Sequence, residues 1–438
     1  MEQTYYSEFL SRFDASGAYE CSCGLTHHVG TRKIFMEHGA LEASARSLVQ
    51  AHGDGIRLWV LSDENTEAAA AAGWKAALPG GRVTSRVLPG TPKPYPTLEL
   101  SRGLAEDALS SSPDLLVGVG GGVISDLVKR VSLEIDRPGW SVGTAASMDA
   151  YPSATVSFGV KGYKSSLPAR TSEVIVCDLD VIGKAPREMF YAGIGDLLAT
   201  YTAHLDWSLS RIMTGEHFCP VIAELALESA RSALSAARTL RDDPERAVRT
   251  LTDAALSSGL AMQAIGGSRP ASSAEHTLSH FWETVHAAGN APLNLHGVLV
   301  GAACRVMLPA YRALWERLGD FEPNVRRRLD LYDAELPWQE TLEEGMRPYA
   351  GKVADEMNGR RFDRGVMAQR LETFRTHRQE IVSLGHSLLE EMGAMVEALD
   401  GLQYPFTLDA LGIRRENLLL PVRNIRLLRK RYSAYELA

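Results

Sequence analysis

Apolar and polar positions follow two rhythms along this chain, and the change from one to the other divides it. Between about residues 40 and 178, short runs rich in aliphatic residues alternate with amphipathic stretches. The runs 56–61 (IRLWVL), 81–88, 115–119 (LLVGV), 140–143 and 173–178 (EVIVCD) read as strands, because short apolar runs between turn signals suit a strand buried on both faces. Segments 40–52, 66–78 and 98–110, and one opening near Val123, carry apolar residues at helical spacing. Strands alternating with helices predict βαβ units and a parallel sheet.

Beyond Pro186 the rhythm is helical throughout: 188–211, 219–240, 245–264, the stretch around His276, and 296–313. The remainder, through Trp338 and the 367–399 region to Arg431, stays helix-rich. This predicts an α/β unit over 1–185 and an all-α unit over 186–438. Gly193 and Gly195 interrupt the first long helix, which predicts close approach of its backbone to a ligand where Asp196 projects. No apolar run approaches the ~20 residues that span a bilayer. The opening MEQTYYSEFLSRFD is polar and acidic, unlike a secretory signal, so a cytoplasmic protein is expected.

Composition sharpens this picture. A chain of 438 residues exceeds one ordinary core, in line with two domains. A formal charge of −8 argues against a nucleic-acid partner, which calls for a basic face. Five cysteines, an odd number, fit a reducing compartment rather than a disulfide framework. Cys21 and Cys23, followed by His27 and His28, invite a metal reading, but Cys-x-Cys alone lacks the second ligand pair of a structural zinc site.

Chemistry concentrates in residues 268–297, SRPASSAEHTLSHFWETVHAAGNAPLNLHG, which hold four of the twelve histidines. His276 and His280 stand one helical turn apart on one face, and His296 follows an Ala-Pro loop that could fold it back beside them. Two imidazoles and a carboxylate make a divalent-metal set with an open position, and Asp196 is the carboxylate candidate. The alternatives are satisfied core histidines and a paired buried acid. His286 has no such warrant and reads as a surface residue.

In the α/β unit the 115–119 strand runs into Gly120, Gly121 and Gly122, with Val123 and Ile124 opening the next helix. Such a turn lets backbone N–H groups reach a pyrophosphate, although it is not the GxGxxG fingerprint and a ligand-free tight turn reads the same. Asp63 ends a strand, where it could accept from a ribose hydroxyl or cap a helix. With Glu64 beside it, a 2′-phosphate would meet negative charge, which favours NAD over NADP. Asp126 reads as a cap or first-turn acid. Lys161, Lys164 and Arg170 could pair a phosphorylated substrate, or be solvated loop cations.

Five motifs, GVGGGVISD, TAASMDAYPS, AGIGDLLATYTAHLDW, SRPASSAEHTLSH and NLHG, stand in an order that resembles the sn-glycerol-1-phosphate dehydrogenases, over roughly residues 20–310. That family lies within the iron-containing alcohol dehydrogenase and dehydroquinate synthase-like superfamily. The resemblance implies a parallel-sheet dinucleotide-binding domain followed by an all-α metal-binding domain. It implies reduction of dihydroxyacetone phosphate by NAD(H) or NADP(H), with one divalent ion, zinc, nickel or iron, on Asp196, His276 and His296. Thr144, Ala145, Ala146, Ser147 and Ser153 match the family's cofactor contacts. Asp149 and His280 match its substrate contacts, with His280 suited to relay a proton. A homodimer is also implied. Ser273 stands where the family usually has Gly. A polyol dehydrogenase and a non-redox cyclase are the neighbouring activities.

Overall fold

The computed structural model describes residues 4–160, 162–289, 294–318, 344–357, 364–402 and 407–437. Lys161, Trp338 and the Ala-Pro loop at 291–292 lie outside them. The strands are β1 (Ala18–Glu20), β2 (Thr26–His28), β3 (Lys33–Glu37), β4 (Arg57–Asp63), β5 (Arg82–Leu88), β6 (Leu115–Gly120), β7 (Gly139–Gly143), β8 (Thr155–Val160), β9 (Tyr163–Pro168) and β10 (Val174–Asp178). Six of them form one sheet in the order β3-β10-β7-β6-β4-β5, every neighbour parallel. In β4 the alternation is visible: Leu58 and Val60 enter one apolar cluster, Trp59 and Leu61 another. Helices cover both faces, which is why the central strands are apolar without interruption. The edge strand β5 is exposed along most of its length, Val83 and Val87 included.

Helices α1 (Ala40–His52), α2 (Leu98–Ser110) and α3 (Gly122–Glu134) lie where the spacing puts them. The edge strand β3 and two hairpins were not legible. Residues 155–168, read as a cation-bearing loop, form the antiparallel pair β8–β9, turned by Gly162 at φ +82. Residues 18–28 form the pair β1–β2, turned through Gly24 at φ +88. Strands of three to six residues without strict alternation leave little periodic signal.

The longer described helices of the helical half are α4 (Arg187–Thr214), α5 (Pro220–Thr239), α6 (Pro244–Ile265), α7 (Ala274–Ala288), α8 (His296–Leu318) and α9 (Arg364–Gly401). α4 is buried almost all round and touches each of the others. Its glycines have a different use from the expected one. A Cβ on Gly195 would overlap the carbonyl oxygen of Gly297, and one on Gly193 would overlap the Ala146 carbonyl. They let helix and loop backbones meet rather than admit a ligand. α8 is long and apolar enough to cross a membrane by those two measures, and here it packs against α4, α7 and α9.

Both chain ends join the helical half. Phe9, Cys21 and Val29 pack with Trp207, Cys219, Ile222 and Leu260. At the other end Leu411, Ile425, Tyr432 and Leu437 belong to the large helical core. Arg429 and Arg431 reach from there to the loop before α7, donating to Ser272 Oγ at 2.7 Å and to the Ser272 carbonyl at 2.9 Å.

Candidate active site and metal centre

The C-terminal ends of β4, β6 and β7 open onto a cleft of about 360 Å³, closed from the other side by α4, α7 and α8. Ligands of open parallel sheets bind at this edge, and the volume suits a small-molecule site. Asp63, Gly121, Thr144, Asp149, His276 and His296 all border it.

Three separate helices bring Asp196, His276 and His296 together. The Nε2 atoms of His276 and His296 lie 3.5 and 3.7 Å from the same carboxylate oxygen, Asp196 Oδ1. Those distances are long for hydrogen bonds. Oδ1 is buried without a hydrogen-bond partner, although Oδ2 accepts from the Asp149 amide at 3.2 Å. One ligand atom from each of the three lies within 4.8 Å of the others. An orphaned buried carboxylate oxygen facing two ring nitrogens fits a divalent cation.

Each imidazole is backed by an acid. His276 Nδ1 bonds Glu275 Oε1 at 3.0 Å, and His296 Nδ1 bonds Glu283 Oε1 at 2.5 Å. A carboxylate at Nδ1 holds a proton there and turns Nε2 toward Asp196, the arrangement that orients metal-bound histidines. Glu275 is itself held by Thr202 Oγ1 at 2.5 Å and the Ser273 amide at 2.6 Å. Burial works against charge on His276, but Asp196 and Glu275 outweigh it and push its pKa up to about 9. The two carboxylates thus favour positive charge at this imidazole. Burial, then the neighbouring Asp196 carboxylate, push Asp149 up to about 7, and its Oδ2 accepts from Ser258 Oγ at 2.6 Å. His280 completes the group, with its ring centroid 5.9 Å from that of His276 and 5.3 Å from that of His296. Burial holds His280 well below its ordinary value.

On the sheet side, α3 starts at Gly121 with no side-chain cap, so its first-turn N–H groups have no side chain of the chain's own serving them there. A Cβ on Gly121 would meet nothing within 4 Å, which leaves this backbone beside open cleft. Gly122, Val123, Ile124, Ala145, Ser147 and Ser153 border the cleft as well. Gly120 and Ala146 do not. A Cβ on Gly120 would stand 2.7 Å from Ile124 Cγ1, so that glycine serves helix-on-strand packing. Asp63 caps the turn after β4, with Oδ1 accepting from Thr66 N at 2.9 Å, and still faces the cleft. Asp126 is buried and accepts from Ser157 N at 3.0 Å. An uncapped helix end over open space fits the pyrophosphate of a dinucleotide.

Lys164 borders the cleft, but its Nζ pairs with Glu283 Oε2 at 2.8 Å, so part of its charge is already engaged. Sequence reasoning missed Glu275 and Glu283, which are ordinary helix acids until folding buries them. It also missed a second cavity of about 430 Å³, which shares Lys164, Ser166 and His280 with the first. Lys352, Arg429, Lys430 and Arg431 line that cavity, all from parts of the chain without a motif. His286, read as a surface residue, is buried, since it sits on the packed side of α7.

The family profile for iron-containing alcohol dehydrogenases matches residues 35–186. The chain is similar to a glycerol-1-phosphate dehydrogenase (NAD(P)+) of Geobacillus thermodenitrificans, with 29% identity over 265 residues, 56% of this chain and 65% of that one. It thus spans just under two thirds of that relative's length. The enzyme of the same name from Bacillus licheniformis is 30% identical over 348 residues, covering 76% of this chain and 84% of that protein. Among solved structures, the NADH-dependent butanol dehydrogenase A of Thermotoga maritima aligns with TM-score 0.58 at 15% identity, over 93% of this chain and 92% of that one.

Proposed function

The chain belongs to the glycerol-1-phosphate dehydrogenase family of the iron-containing alcohol dehydrogenases, and from that premise we propose that it reduces dihydroxyacetone phosphate to sn-glycerol 1-phosphate with NAD(P)H. Its fold is dehydroquinate synthase-like, an α/β domain followed by a helical one. In the proposed reaction hydride from the nicotinamide and a proton convert the C2 ketone to an alcohol, leaving NAD(P)+. The observation that carries the reading is the orphaned Asp196 Oδ1 facing two acid-backed imidazoles, across a cleft from an uncapped helix end.

Asp196, His276 and His296 would hold the ion, and Gly121 to Ile124 with Thr144, Ala145, Ser147 and Ser153 would hold the cofactor. When bound, a divalent ion supplies Lewis acidity at the C2 oxygen and the nicotinamide supplies hydride. The residues do the positioning. Glu275 and Glu283 fix the ring orientations. Asp149, with a pKa near 7, can hydrogen-bond a substrate hydroxyl in either protonation state. Neutral His280 can accept a proton on one nitrogen while giving one from the other, which suits it to pass a proton from solvent to the oxygen on C2. Asp63 at the end of β4 disfavours a 2′-phosphate, which supports NADH as the partner.

The second cavity supports a phosphorylated substrate. Among the described residues no carboxylate lies within ion-pair distance of Arg429, whose guanidinium is held by Ser268, Ser272 and Ser273 oxygens. A dianion entering beside His280 would meet that guanidinium, in a cavity that Asp355 and Glu356 also line. The test is NADH oxidation with dihydroxyacetone phosphate and with dihydroxyacetone, before and after chelation and with zinc, nickel or iron restored. We expect turnover that depends on the phosphate, is lost on chelation and returns with metal. Equal turnover of the unphosphorylated ketone, or full activity after chelation, would remove this reading.

A further inference from the structure

A second set of metal-binding side chains lies apart from the cleft, where the N-terminal hairpin meets the helical half. Cys21 and Cys23 stand on the turn between β1 and β2, His27 is in β2, and Cys219 immediately precedes α5. Cys21 Sγ is 3.6 Å from Cys219 Sγ, and His27 Nε2 is 3.3 Å from both Cys23 Sγ and Cys219 Sγ. All four ligand atoms lie within 4.8 Å of one another, and none of these residues borders the cleft. We propose that Cys21, Cys23, His27 and Cys219 form a closed tetrahedral site for a structural zinc ion that fastens the N-terminal hairpin to α5 and α6.

Three of the separations, 3.3, 3.3 and 3.6 Å, are close to a tetrahedron's edges. Sulfur at ~2.3 Å and nitrogen at ~2.0 Å from a zinc ion put neighbouring ligand atoms roughly 3.5–3.8 Å apart. The imidazole is already oriented as a ligand. His27 Nδ1 lies 3.0 Å from the Ala264 carbonyl, which can only accept, so Nδ1 carries the proton and Nε2 presents a lone pair. That lone pair faces two thiols at equal distance. One lone pair serves one thiol proton well, whereas a cation satisfies the nitrogen and both sulfurs together. The turn is shaped to aim two sulfurs inward, with Gly24 at φ +88 and its amide bonded to the Cys21 carbonyl at 3.0 Å. Burial pushes the Cys219 thiol up to about 12, and the Ile222 amide in the first turn of α5 works against that. Three sulfurs and a nitrogen, buried at three of four positions, leave no open coordination place, which marks a structural site and selects zinc over oxygen-loving ions. The ligand pair that Cys-x-Cys lacked in the sequence is supplied by His27 and by a cysteine 196 residues beyond Cys23.

The test counts metal rather than activity. The full-length protein is prepared with a thiol reductant as wild type, as Asp196→Ala/His276→Ala and as Cys23→Ser, and bound zinc is measured by mass spectrometry of the elements. We expect the double variant to keep one equivalent that Cys23→Ser lacks. Cobalt(II) loaded into the double variant should give near-ultraviolet thiolate-to-metal absorption with intense tetrahedral visible bands, lost on adding Cys219→Ser. These spectra answer the question even if Cys23→Ser does not fold. A double variant without zinc and without the cobalt–thiolate bands overturns the proposal, as does recovery of Cys21 and Cys219 joined in a disulfide. A sulfur-bound equivalent supports it whether or not the cleft trio also binds an ion.

Discussion

Asp196 Oδ1 has two ring nitrogens at long range and no hydrogen-bond partner, so what happens at this oxygen depends on how firmly the imidazoles are held. Glu275 governs one of them. In Glu275→Gln the acceptor for the Ser273 amide survives, and Thr202 can turn to accept, so the fold should persist while the charge behind His276 is lost. We expect metal affinity to fall about 10–100-fold, with activity recovered at saturating ion. An unchanged metal dissociation constant would leave Glu275 without this role. Gly121 makes the complementary case on the cofactor side. Because its Cβ direction is open, Gly121→Val should fold normally and weaken NADH binding on the order of tenfold or more, the value of a charge-assisted hydrogen bond. Cofactor titration by fluorescence checks this, and wild-type affinity would make the turn purely structural.

Elements converge here because glycines let them. α4 and α8 meet where Gly195 and Gly297 bring backbone against backbone, one residue from Asp196 and one from His296. A methyl group at either place must push the helices apart. Gly195→Ala should therefore destabilise by about 1–3 kcal/mol, as overpacking does, and weaken metal binding in the same variant. Thermal unfolding and a metal titration test it together, and a variant normal in both would show that the contact has slack. The two roles of glycine are distinguishable only in the fold: the sequence marks Gly120, Gly121, Gly193 and Gly195 alike, yet just one of these four borders the cleft.

For the molecule as a whole, the C-terminal segment closes the site from outside any motif. Arg429 and Arg431 grip the loop before α7, and the Ala434 amide donates to buried Asp206 Oδ1 at 2.8 Å. Ser273, on that loop, also donates to Asp206, which gives its hydroxyl a structural use. If Arg429 meets the substrate phosphate, Arg429→Gln should raise KM for dihydroxyacetone phosphate by about ten- to a hundredfold and leave KM for dihydroxyacetone unchanged. Equal effects on both ketones would instead assign Arg429 to support of the loop.

Five of the sheet's six strands, its helices and the change to an all-helical half were legible because they rest on local periodicity: a strand buried on both faces and a helix with one apolar stripe each repeat within a few residues. The candidate residues Asp196, His276 and His296 could be named by residue type and motif, which are also local. Partnership could not be read this way. Glu275 and Glu283 behind the imidazoles, Cys219 beside Cys21 and Cys23, and Arg429 over the second cavity come from chain segments far apart or from positions with no distinguishing neighbours. Which charges are buried together, and which glycines separate helices from each other rather than from a ligand, is decided by packing between elements, and a linear spacing carries no record of that.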